Sequence, residues 1–351
     1  MASYSYDLSR DDFESTKLGV KGLTDSRVKF IPDIFYHSDV SVINLNEFDT
    51  VTTIPTVDLA EPHHNVVRKI WDASSSLGAF QIVNHNIPKS HIDGIIQGIK
   101  NFHELHPNDK MWWYGRDSSL NYDKGVYFYS NIDLFYSRAV SWQDMIQIRL
   151  SPLPVSIPDV CKNEVTQWSA ETRQIAERLM GYLSEGLGLP DNKLKGDGYL
   201  GRGGLLGYYY PYCPEAVKTF AEAEHSDPGV ITILVHDEDA AFQVKNGRKW
   251  LYANTRPGAL LIIIGDLLQI ISNGQYKSGE HRVLANGHKQ ARSSVAVVYS
   301  SGYPENIYGP LPELVSATNP ALYRAFRFSD YTNKFFRSET ACKVMANYYQ
   351  I

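Results

Sequence analysis

Apolar residues recur at helical spacing through the first half of the chain. In the first of these stretches Val66, Ile70 and Trp71 fall on one face of a helix. The last stretch ends where Gly186 and Gly188 interrupt the pattern. The predicted helices span about 65–77, 90–105 and 163–187, and a short buried strand is predicted at 80–84. We expect these apolar faces to pack against a sheet.

Beyond Arg202 the apolar residues follow strand patterns instead. The predicted strands span 205–210, 229–235, 241–244, 249–252, 259–264, 281–284 and 293–299. Several short strands in succession favour a jelly roll, two sheets with an open mouth that can hold a ligand. The tail, 320–349, carries two short helical patterns rich in tyrosine and phenylalanine, and we expect it to cover that mouth. The predicted fold class is α+β, mainly β, with N-terminal helices and a C-terminal helical lid.

The composition is that of an ordinary globular protein. The 351 residues are 43% hydrophobic and 21% charged, which argues against disorder. This length exceeds that of a usual single core, so appendages around a catalytic core are expected. The net charge of −5 offers no basic surface for nucleic acid or an anionic membrane.

No segment of the chain predicts membrane insertion or secretion. Residues 1–13 lack an apolar signal core, and no stretch approaches the ~18 apolar residues that a membrane span requires. Cys161, Cys213 and Cys342 are few and show no pairing pattern, which favours a reducing compartment. We therefore expect a cytoplasmic monomer without a membrane or nucleic-acid partner.

The tripeptide His225-Ser226-Asp227, with His281 54 residues beyond Asp227, predicts a metal site. Residues i and i+2 of a strand face the same side, so one extended segment can supply both His225 and Asp227. Two histidines and one carboxylate form the three-ligand set of a non-haem Fe(II) site, which leaves positions open for a cosubstrate and O₂.

Arg292 and Ser294 also stand two residues apart and predict a binding site for a carboxylate. On a strand they project together and offer a guanidinium fork and a hydroxyl. Such a fork suits the far carboxylate of a dicarboxylic acid. Together with the metal triad, this pair indicates an Fe(II)- and 2-oxoglutarate-dependent oxygenase.

A second tripeptide of the same form, His37-Ser38-Asp39, is not accompanied by the other motifs of such a site. It lies in a segment interrupted by proline and aspartate, without a second histidine or an Arg-x-Ser motif downstream. We interpret His37 as a surface residue.

Motifs along nearly the whole chain resemble the plant Fe(II)- and 2-oxoglutarate-dependent dioxygenases. That family includes anthocyanidin synthase, flavonol synthase and gibberellin oxidases, and this sequence is most similar in style to the 1-aminocyclopropane-1-carboxylate oxidase homologues, such as deacetoxyvindoline 4-hydroxylase. The motifs are GVKGL at 19–23, IPTVDL at 54–59, GAFQIVNH at 78–85, YYPYCP at 209–214, GDLLQ at 265–269, YKSGEHRV at 276–283 and RSS at 292–294.

The resemblance implies a double-stranded β-helix, the jelly-roll form of this family, in residues 201–303. It also implies an N-terminal region over 1–200, with a dioxygenase N-terminal domain at about 52–160, and a C-terminal helical segment over 304–351. The implied reaction couples decarboxylation of 2-oxoglutarate, to succinate and CO₂, to oxidation of an organic substrate by O₂. Ascorbate is implied as a supporting reductant, and Tyr210 as a further cosubstrate contact.

The sequence departs from the family pattern at three places. Tyr208 stands where many members carry Asn or His, and Ile263 replaces a frequent Asn. Ala240-Ala241-Phe242 is bulkier than the usual Gly-Gly-Leu turn. None of these positions belongs to the triad or to the Arg-x-Ser pair, so we expect activity to be retained.

The resemblance also supplies candidate positions around the organic substrate. They are Tyr127, Phe128, Met145, Gln147, Leu206, Phe242, Val298 and Ser300. This lining is mostly apolar and neutral, with no Arg or Lys to spare, which predicts a largely apolar substrate, aromatic or polycyclic.

Three alternatives stay open at this stage. The leading hypothesis is a hydroxylase or O-demethylase of plant specialised metabolism, with desaturation or ring formation as further outcomes of the same chemistry. The chain could instead be an ascorbate-dependent oxidase like 1-aminocyclopropane-1-carboxylate oxidase. It could also be a ligand-binding protein without activity on the same barrel.

Overall fold

The computed structural model describes residues 7–37, 53–115, 124–237, 241–337 and 345–351. The helices are α1 Arg10–Thr16, α2 Gly19–Asp25, α3 His63–Ser76, α4 Lys89–Glu104, α5 Pro107–Lys110, α6 Lys162–Gly186, α7 Lys193–Gly196, α8 Asp266–Ile271 and α9 Phe328–Arg337. The strands are β1 Thr56–Asp58, β2 Ala79–Val83, β3 Val126–Tyr129, β4 Asp144–Arg149, β5 Arg202–Tyr210, β6 Phe220–His225, β7 Ile231–His236, β8 Phe242–Asn246, β9 Lys249–Tyr252, β10 Leu260–Ile264, β11 His281–Leu284, β12 Arg292–Ser300, β13 Ile307–Tyr308 and β14 Phe326–Arg327.

Two sheets face each other and form the jelly roll. The larger has eight strands in the order β1-β2-β10-β7-β12-β5-β4-β3, and the smaller has four in the order β6-β11-β8-β9. Side chains from both inner faces share one apolar cluster, in which Leu261 and Ala296 of the larger sheet join Phe242 and Val283 of the smaller. The space between the sheets is therefore filled at one end, and the remaining part is available for a site.

The outer face of the larger sheet is covered by α3, α4 and α6. Ile70, Ile95 and Trp168, one from each helix, lie in one buried cluster with Ile233 and Val295 of the central strands. The two faces of the larger sheet therefore have different tasks. The outer face carries the main hydrophobic core, and the inner face is left to side chains with other roles.

The N-terminal helices are anchored to β4 by one buried carboxylate. Asp144 is fully buried and accepts the backbone N–H groups of Val20 at 2.7 Å and Lys21 at 2.8 Å. Gly19 has φ +70°, and a Cβ atom there would lie 2.3 Å from Oδ1 of Asp144. Glycine is therefore required at position 19, for its backbone conformation and for the close approach of the carboxylate.

The predicted helices and the predicted strand at 80–84 are confirmed to within two residues at each end, and the predicted later strands to within two or three. Strands β1, β3, β4, β6, β13 and β14 were missed. The predicted α+β class with a jelly-roll core is confirmed, but more of the described residues lie in helices than in strands, so the description as mainly β does not extend beyond the core. In the tail, α9 and a 3₁₀ turn at Ala346–Tyr349 are present.

Strands from the first 200 residues belong to the same sheet as those of the core. β1 and β2 extend it beyond β10, and β3 and β4 extend it beyond β5. The division into 1–200, 201–303 and 304–351 stays a prediction.

Candidate active site

Two histidines and one carboxylate meet on the smaller sheet. His225 ends β6 and His281 begins β11, and the two are paired directly across the antiparallel strands. Their ring centroids are 4.1 Å apart, and their Nε2 atoms lie 3.7 and 3.8 Å, respectively, from Oδ1 of Asp227. Asp227 itself lies just beyond the end of β6, and the three candidate ligand atoms are within 4.8 Å of one another. This donor set fits a divalent transition metal with open coordination positions.

Backbone carbonyl groups orient both imidazole rings. Nδ1 of His225 donates to the carbonyl of Ala223 at 2.8 Å, and Nδ1 of His281 donates to that of Gly279 at 2.9 Å. A carbonyl can only accept, so each Nδ1 carries a proton and each Nε2 offers its lone pair to a metal. Burial, together with the neighbouring His225, lowers the pKa of His281 and keeps that ligand neutral.

Two side chains support the ligands from behind. The hydroxyl of Thr232 donates to Oδ2 of Asp227, and Oδ1 is the carboxylate oxygen that approaches the histidines. The ring of Phe242 stacks on that of His281 at 5.1 Å between centroids. Phe242 was predicted to line the substrate cavity. The structure places its ring on that of His281, and Phe242 is not among the residues that line the cavity.

A buried carboxylate ties the metal-binding segment to the C-terminal helix. Asp266 is fully buried and accepts hydrogen bonds from the hydroxyls of Ser226, at 3.0 Å, and Tyr331 of α9. Its backbone N–H donates to the carbonyl of Asp227 at 2.7 Å. Burial raises the pKa of the Asp266 carboxyl to about 7. The loop that carries Asp227 is thus held by Asp266, and Asp266 is held in turn by Tyr331, 65 positions later in the chain.

Arg292, Ser294 and Tyr210 form a buried polar group on the larger sheet. β12 pairs with β5 so that Arg292 lies opposite Tyr210. The hydroxyls of Tyr210 and Ser294 are 2.8 Å apart, and the guanidinium of Arg292 lies 5.6 Å from the centroid of the Tyr210 ring. Arg292 also donates to the carbonyl of Leu284 at 2.8 Å. One guanidinium and two hydroxyls therefore converge, a combination that suits a carboxylate.

A cavity of about 410 Å³ opens between the two sheets, beside His225 and Asp227. The predicted residues that line it are Met145, Gln147, Leu206, Val298 and Ser300. They come from β4, β5 and β12, and strand pairing explains why they meet. Gln147 lies opposite Leu206, and Leu206 lies opposite Ala296, so their side chains share the inner face.

Two further predicted wall residues lie elsewhere. Phe128 is 1% exposed and packs on the outer face, against Phe102 and Tyr114, in the helix-covered core. Adjacent residues of a strand point to opposite faces, so Tyr127 and Phe128 could not both line one cavity. Tyr127 is opposite Gln147 on the inner face, but it stands outside the cavity wall. Tyr129, two positions further, does line it.

The expectation of a neutral lining is wrong. Three arginines line the cavity, Arg138, Arg149 and Arg202, and the acidic residues Glu222 and Glu224 do so as well. Arg149 and Arg202 were missed because the first belongs to a strand that was not predicted and the second lies before the predicted start of β5. The alternation of Met145, Gln147 and Arg149 with Ile146 and Ile148 is the signal that could have identified them, since the isoleucines face the helices.

His37 was interpreted as a surface residue, and the structure corrects this. It is 9% exposed, its Nε2 lies 3.2 Å from the carbonyl of Val140, and its ring packs edge-on against Phe220. It also lines the cavity. Asp39, its partner in the second tripeptide, lies outside the described residues.

The three departures from the family pattern fall into different surroundings. The ring of Tyr208 lines the cavity and lies parallel to that of Tyr210, with 6.1 Å between the centroids. Ile263 is fully buried between the sheets. Ala240 lies outside the described residues. Tyr208 therefore faces the cavity beside Tyr210, and Phe242, of the third departure, contacts His281.

The tail helix α9 forms one wall of the cavity. Phe328, Thr332, Phe335 and Phe336 line it, and their spacing places them on one side of the helix. Phe326 and Tyr331 pack instead into the main core, where both rings contact Tyr349. The tail thus both covers the cavity and contributes to the core.

Comparisons with known proteins agree with this geometry. The family model of the 2OG-Fe(II) oxygenase superfamily matches residues 203–301, and that described as non-haem dioxygenase in morphine synthesis N-terminal matches 54–170. The chain is 38% identical to 1-aminocyclopropane-1-carboxylate oxidase homolog 4 of Arabidopsis thaliana, over 92% of each chain. It is 36% identical to deacetoxyvindoline 4-hydroxylase of Catharanthus roseus, over 91% of this chain and 83% of that one.

Solved structures show the same fold. The crystal structure of JOX2 in complex with 2OG, Fe and JA aligns with a TM-score of 0.82 and 28% identity, over 95% of this chain and 97% of that one. No helix among the described residues is long and apolar enough to cross a membrane. From the paired family matches and from relatives similar along almost their whole length, the chain belongs to the 2OG-Fe(II) oxygenase superfamily and is an oxygenase that uses Fe(II), 2-oxoglutarate and O₂.

Proposed function

We propose that this enzyme hydroxylates, or O-demethylates, a small organic metabolite of plant specialised metabolism. In this proposal His225, Asp227 and His281 hold the iron. The observation that carries it is the position of the triad, since His225 and Asp227 lie at the wall of a cavity large enough for such a molecule. When bound, the iron supplies the oxidising chemistry that C–H bonds require, and the protein supplies orientation and exclusion of water.

Arg292, Ser294 and Tyr210 bind the distal carboxylate of 2-oxoglutarate in this proposal. The Arg292 guanidinium provides the charge, and the two hydroxyls, 2.8 Å apart, provide further donors. All three side chains are buried, so water competes little for the same hydrogen bonds. The dicarboxylate would span from these residues to the metal triad on the opposite sheet.

The organic substrate occupies the cavity in this proposal, between the inner strands and α9. The relatives support an organic substrate by their names, since one is a hydroxylase of deacetoxyvindoline and another was solved with JA. The mixed lining of aromatic, arginine and acidic residues fits a substrate that is partly apolar and carries polar groups. We place the enzyme in the cytoplasm, as a monomer without a nucleic-acid partner.

Release of succinate across a panel of alkaloids, flavonoids, coumarins and terpenoids tests the proposal. A substrate should raise succinate formation above the basal rate in step with its own oxidation, and omission of 2-oxoglutarate should abolish both. Product formation with ascorbate but without 2-oxoglutarate would instead identify an oxidase like 1-aminocyclopropane-1-carboxylate oxidase. Tight ligand binding without any succinate would identify a binding protein.

A further inference from the structure

The side-chain amide of Gln147, on β4, is held at one end by the protein. The hydroxyl of Tyr129 on β3 donates to Oε1 of that amide, with 2.6 Å between the two atoms. This distance is usual between two oxygen atoms and short between a nitrogen and an oxygen, so Oε1 is the end that faces Tyr129. The other end, Nε2, has no hydrogen-bond partner among the described residues. Gln147 therefore keeps N–H groups that the protein does not use.

The hydroxyl of Tyr208, on β5, is a second donor without a hydrogen-bond partner in the part of the chain that the structure describes. Its ring is held parallel to that of Tyr210. Burial, followed by the negative charge of Glu222, raises the pKa of Tyr208 well above its usual value, so the hydroxyl keeps its proton. Tyr208 therefore offers an uncharged O–H donor.

Strand pairing brings these two donors together. Gln147 lies opposite Leu206, and the next inward residue, Met145, lies opposite Tyr208. Gln147 and Tyr208 are thus diagonal neighbours on one face, and the Cβ atoms of such neighbours are about 7–8 Å apart, within reach of long and aromatic side chains. Both residues line the cavity and are partly exposed. Neither donor atom is among the fully buried polar atoms that lack a partner within the described ranges, so a ligand in the cavity can reach both.

The arginines of the cavity lie away from this pair of donors. Arg149 is two residues beyond Gln147, on the side away from Tyr208, and its guanidinium donates to a backbone carbonyl at 3.0 Å. Arg202 is six residues from Tyr208 along β5, and the side chain of Arg138 is exposed. An anion would therefore find its charged partners elsewhere in the cavity, and the two uncharged donors suit an uncharged acceptor.

Two donors on one face call for a ligand atom that can accept more than one hydrogen bond. A carbonyl oxygen has two lone pairs and no hydrogen of its own, so one such atom can accept both the amide N–H and the phenolic O–H. A carbonyl group that enters an apolar cavity loses its hydrogen bonds to water, and these two donors replace them.

We propose that Gln147 and Tyr208 form a subsite for a carbonyl oxygen of the organic substrate. This proposal rests on the function proposed above and deepens it. The substrate class is then a partly apolar metabolite with a ketone, ester or lactone group. Gln147 and Tyr208 are specificity-determining residues. Tyr129 is a positioning residue, because it acts through the orientation of the Gln147 amide.

Matched probes that differ only at a carbonyl group test this subsite. 1-Tetralone and tetralin share a ring system and differ in one C=O and one CH₂, and 1-indanone and indane form a second such pair. Binding of each is titrated by calorimetry to the enzyme loaded with Fe(II) and 2-oxoglutarate in the absence of O₂. A cavity without donors would favour the hydrocarbons, because a carbonyl group is costly to remove from water. We expect the natural chain to bind each ketone about tenfold more tightly than its hydrocarbon.

Gln147→Met and Tyr208→Phe should each remove most of that preference, because each deletes one donor and keeps the size of the side chain. The double variant should reverse it. Tyr129→Phe should cause a smaller loss, since the amide remains but its orientation is no longer fixed. Tyr209→Phe is the matched control, the same change on the next residue, whose hydroxyl donates to Glu104 on the outer face, and it should leave the preference intact.

Affinity for 2-oxoglutarate, measured in parallel, should be unchanged in all these variants and shows that each is folded. A loss of 2-oxoglutarate affinity in Tyr208→Phe as large as the loss of ketone preference would assign the hydroxyl to the cosubstrate and overturn the subsite. Equal or weaker binding of the ketones by the natural chain, no measurable binding of either ketone, or a preference that survives in the double variant would overturn it as well.

Failure of the proposed function has a different signature. In that case the natural chain would form no succinate with any organic compound, whatever its preference between ketone and hydrocarbon in binding.

Discussion

The metal end of the cavity and its substrate walls lie on the same inner faces, but they are built from the chain in different ways. His225 and Asp227 are two residues apart, and so are Arg292 and Ser294. The walls are assembled from β4, β5, β12 and α9, whose cavity-lining residues range from 145 to 336. Two pairs of the groups proposed for oxidation are therefore encoded locally, whereas the substrate walls depend on the packing of distant segments.

Substitutions in the two regions should therefore have different kinds of effect. At the metal end, one side chain supplies one ligand or one charge, and no neighbour can replace it. At the walls, neighbouring side chains share the contact area, so that loss of one is partly compensated. We therefore expect large, specific losses at the first region and graded, substrate-dependent effects at the second.

Removal of a ligand should have the largest effect. Asp227→Ala and His281→Ala, like His225→Ala, should abolish turnover and most Fe(II) binding, because three ligands are the minimum that holds the ion and leaves open positions. Bound iron is measured by colorimetric assay after desalting, and folding by circular dichroism. His37→Ala is the matched control, since it changes the other His-x-Asp motif and should keep full iron content. Retained turnover in the His281 variant would contradict the assignment.

Loss of the guanidinium should come next. Arg292→Leu should weaken the 2-oxoglutarate interaction by about 3 kcal/mol, roughly two orders of magnitude in KM, because a buried charge-assisted pair is removed. Arg292→Lys should recover only part of this, since an ammonium cannot reproduce the planar fork. Steady-state kinetics with each substrate varied in turn provide the measurement. An equal rise in KM for the organic substrate would argue against a dedicated cosubstrate site.

Substitutions in the tail should affect the coupling of succinate formation to substrate oxidation more than they affect the iron site. Truncation near Asn319 would remove the whole lid, but it would also remove Phe326 and Tyr331 from the core. Phe336→Ala shortens a side chain of α9 that lines the cavity and should raise succinate formation relative to product by severalfold, because water enters the site. Phe326→Ala, on the core side, should lower thermal stability and leave the ratio unchanged. An unchanged ratio in the Phe336 variant would mean that α9 only braces the barrel.

The smallest effects should come from two adjacent residues that face opposite ways. Tyr129→Phe removes a hydroxyl that donates to Oε1 of Gln147 at 2.6 Å in the cavity, a loss of about 1 kcal/mol that should change the KM of the organic substrate a few fold. Phe128→Leu should instead lower the melting temperature by a few degrees and leave that KM unchanged, because the ring packs among helices. The reverse pattern would show that the faces are misassigned.

The sequence was sufficient for the features that depend on short spacing. The His225 and Asp227 pair, the Arg292 and Ser294 pair, and the long helices each follow from residues a few positions apart. It was insufficient where strands are short, or where both faces of a strand are buried and the usual alternation of apolar and polar residues is altered. β4 has isoleucines facing the helices and Met145, Gln147 and Arg149 facing the cavity, so its alternation does not look like that of a strand with one solvated face.

Other residues could not be placed because their partners are far along the chain. Glu222 and Gln143 are 79 positions apart. They meet only when β6 of the smaller sheet and β4 of the larger sheet are brought together in the fold. Phe242 looked like a wall residue because it is aromatic and near the metal motif, and only the pairing of β8 with β11 places it on His281. Such contacts depend on register, which the local pattern does not specify.

The hydrogen bond from Tyr331 to Asp266 sets an order on biosynthesis. Asp266 holds the loop that carries Asp227, and its own partner lies 65 residues later, close to the C-terminus. During translation on a ribosome, every metal ligand emerges before Tyr331 does. A nascent chain therefore carries all three ligands before it can make the contact that fixes their loop.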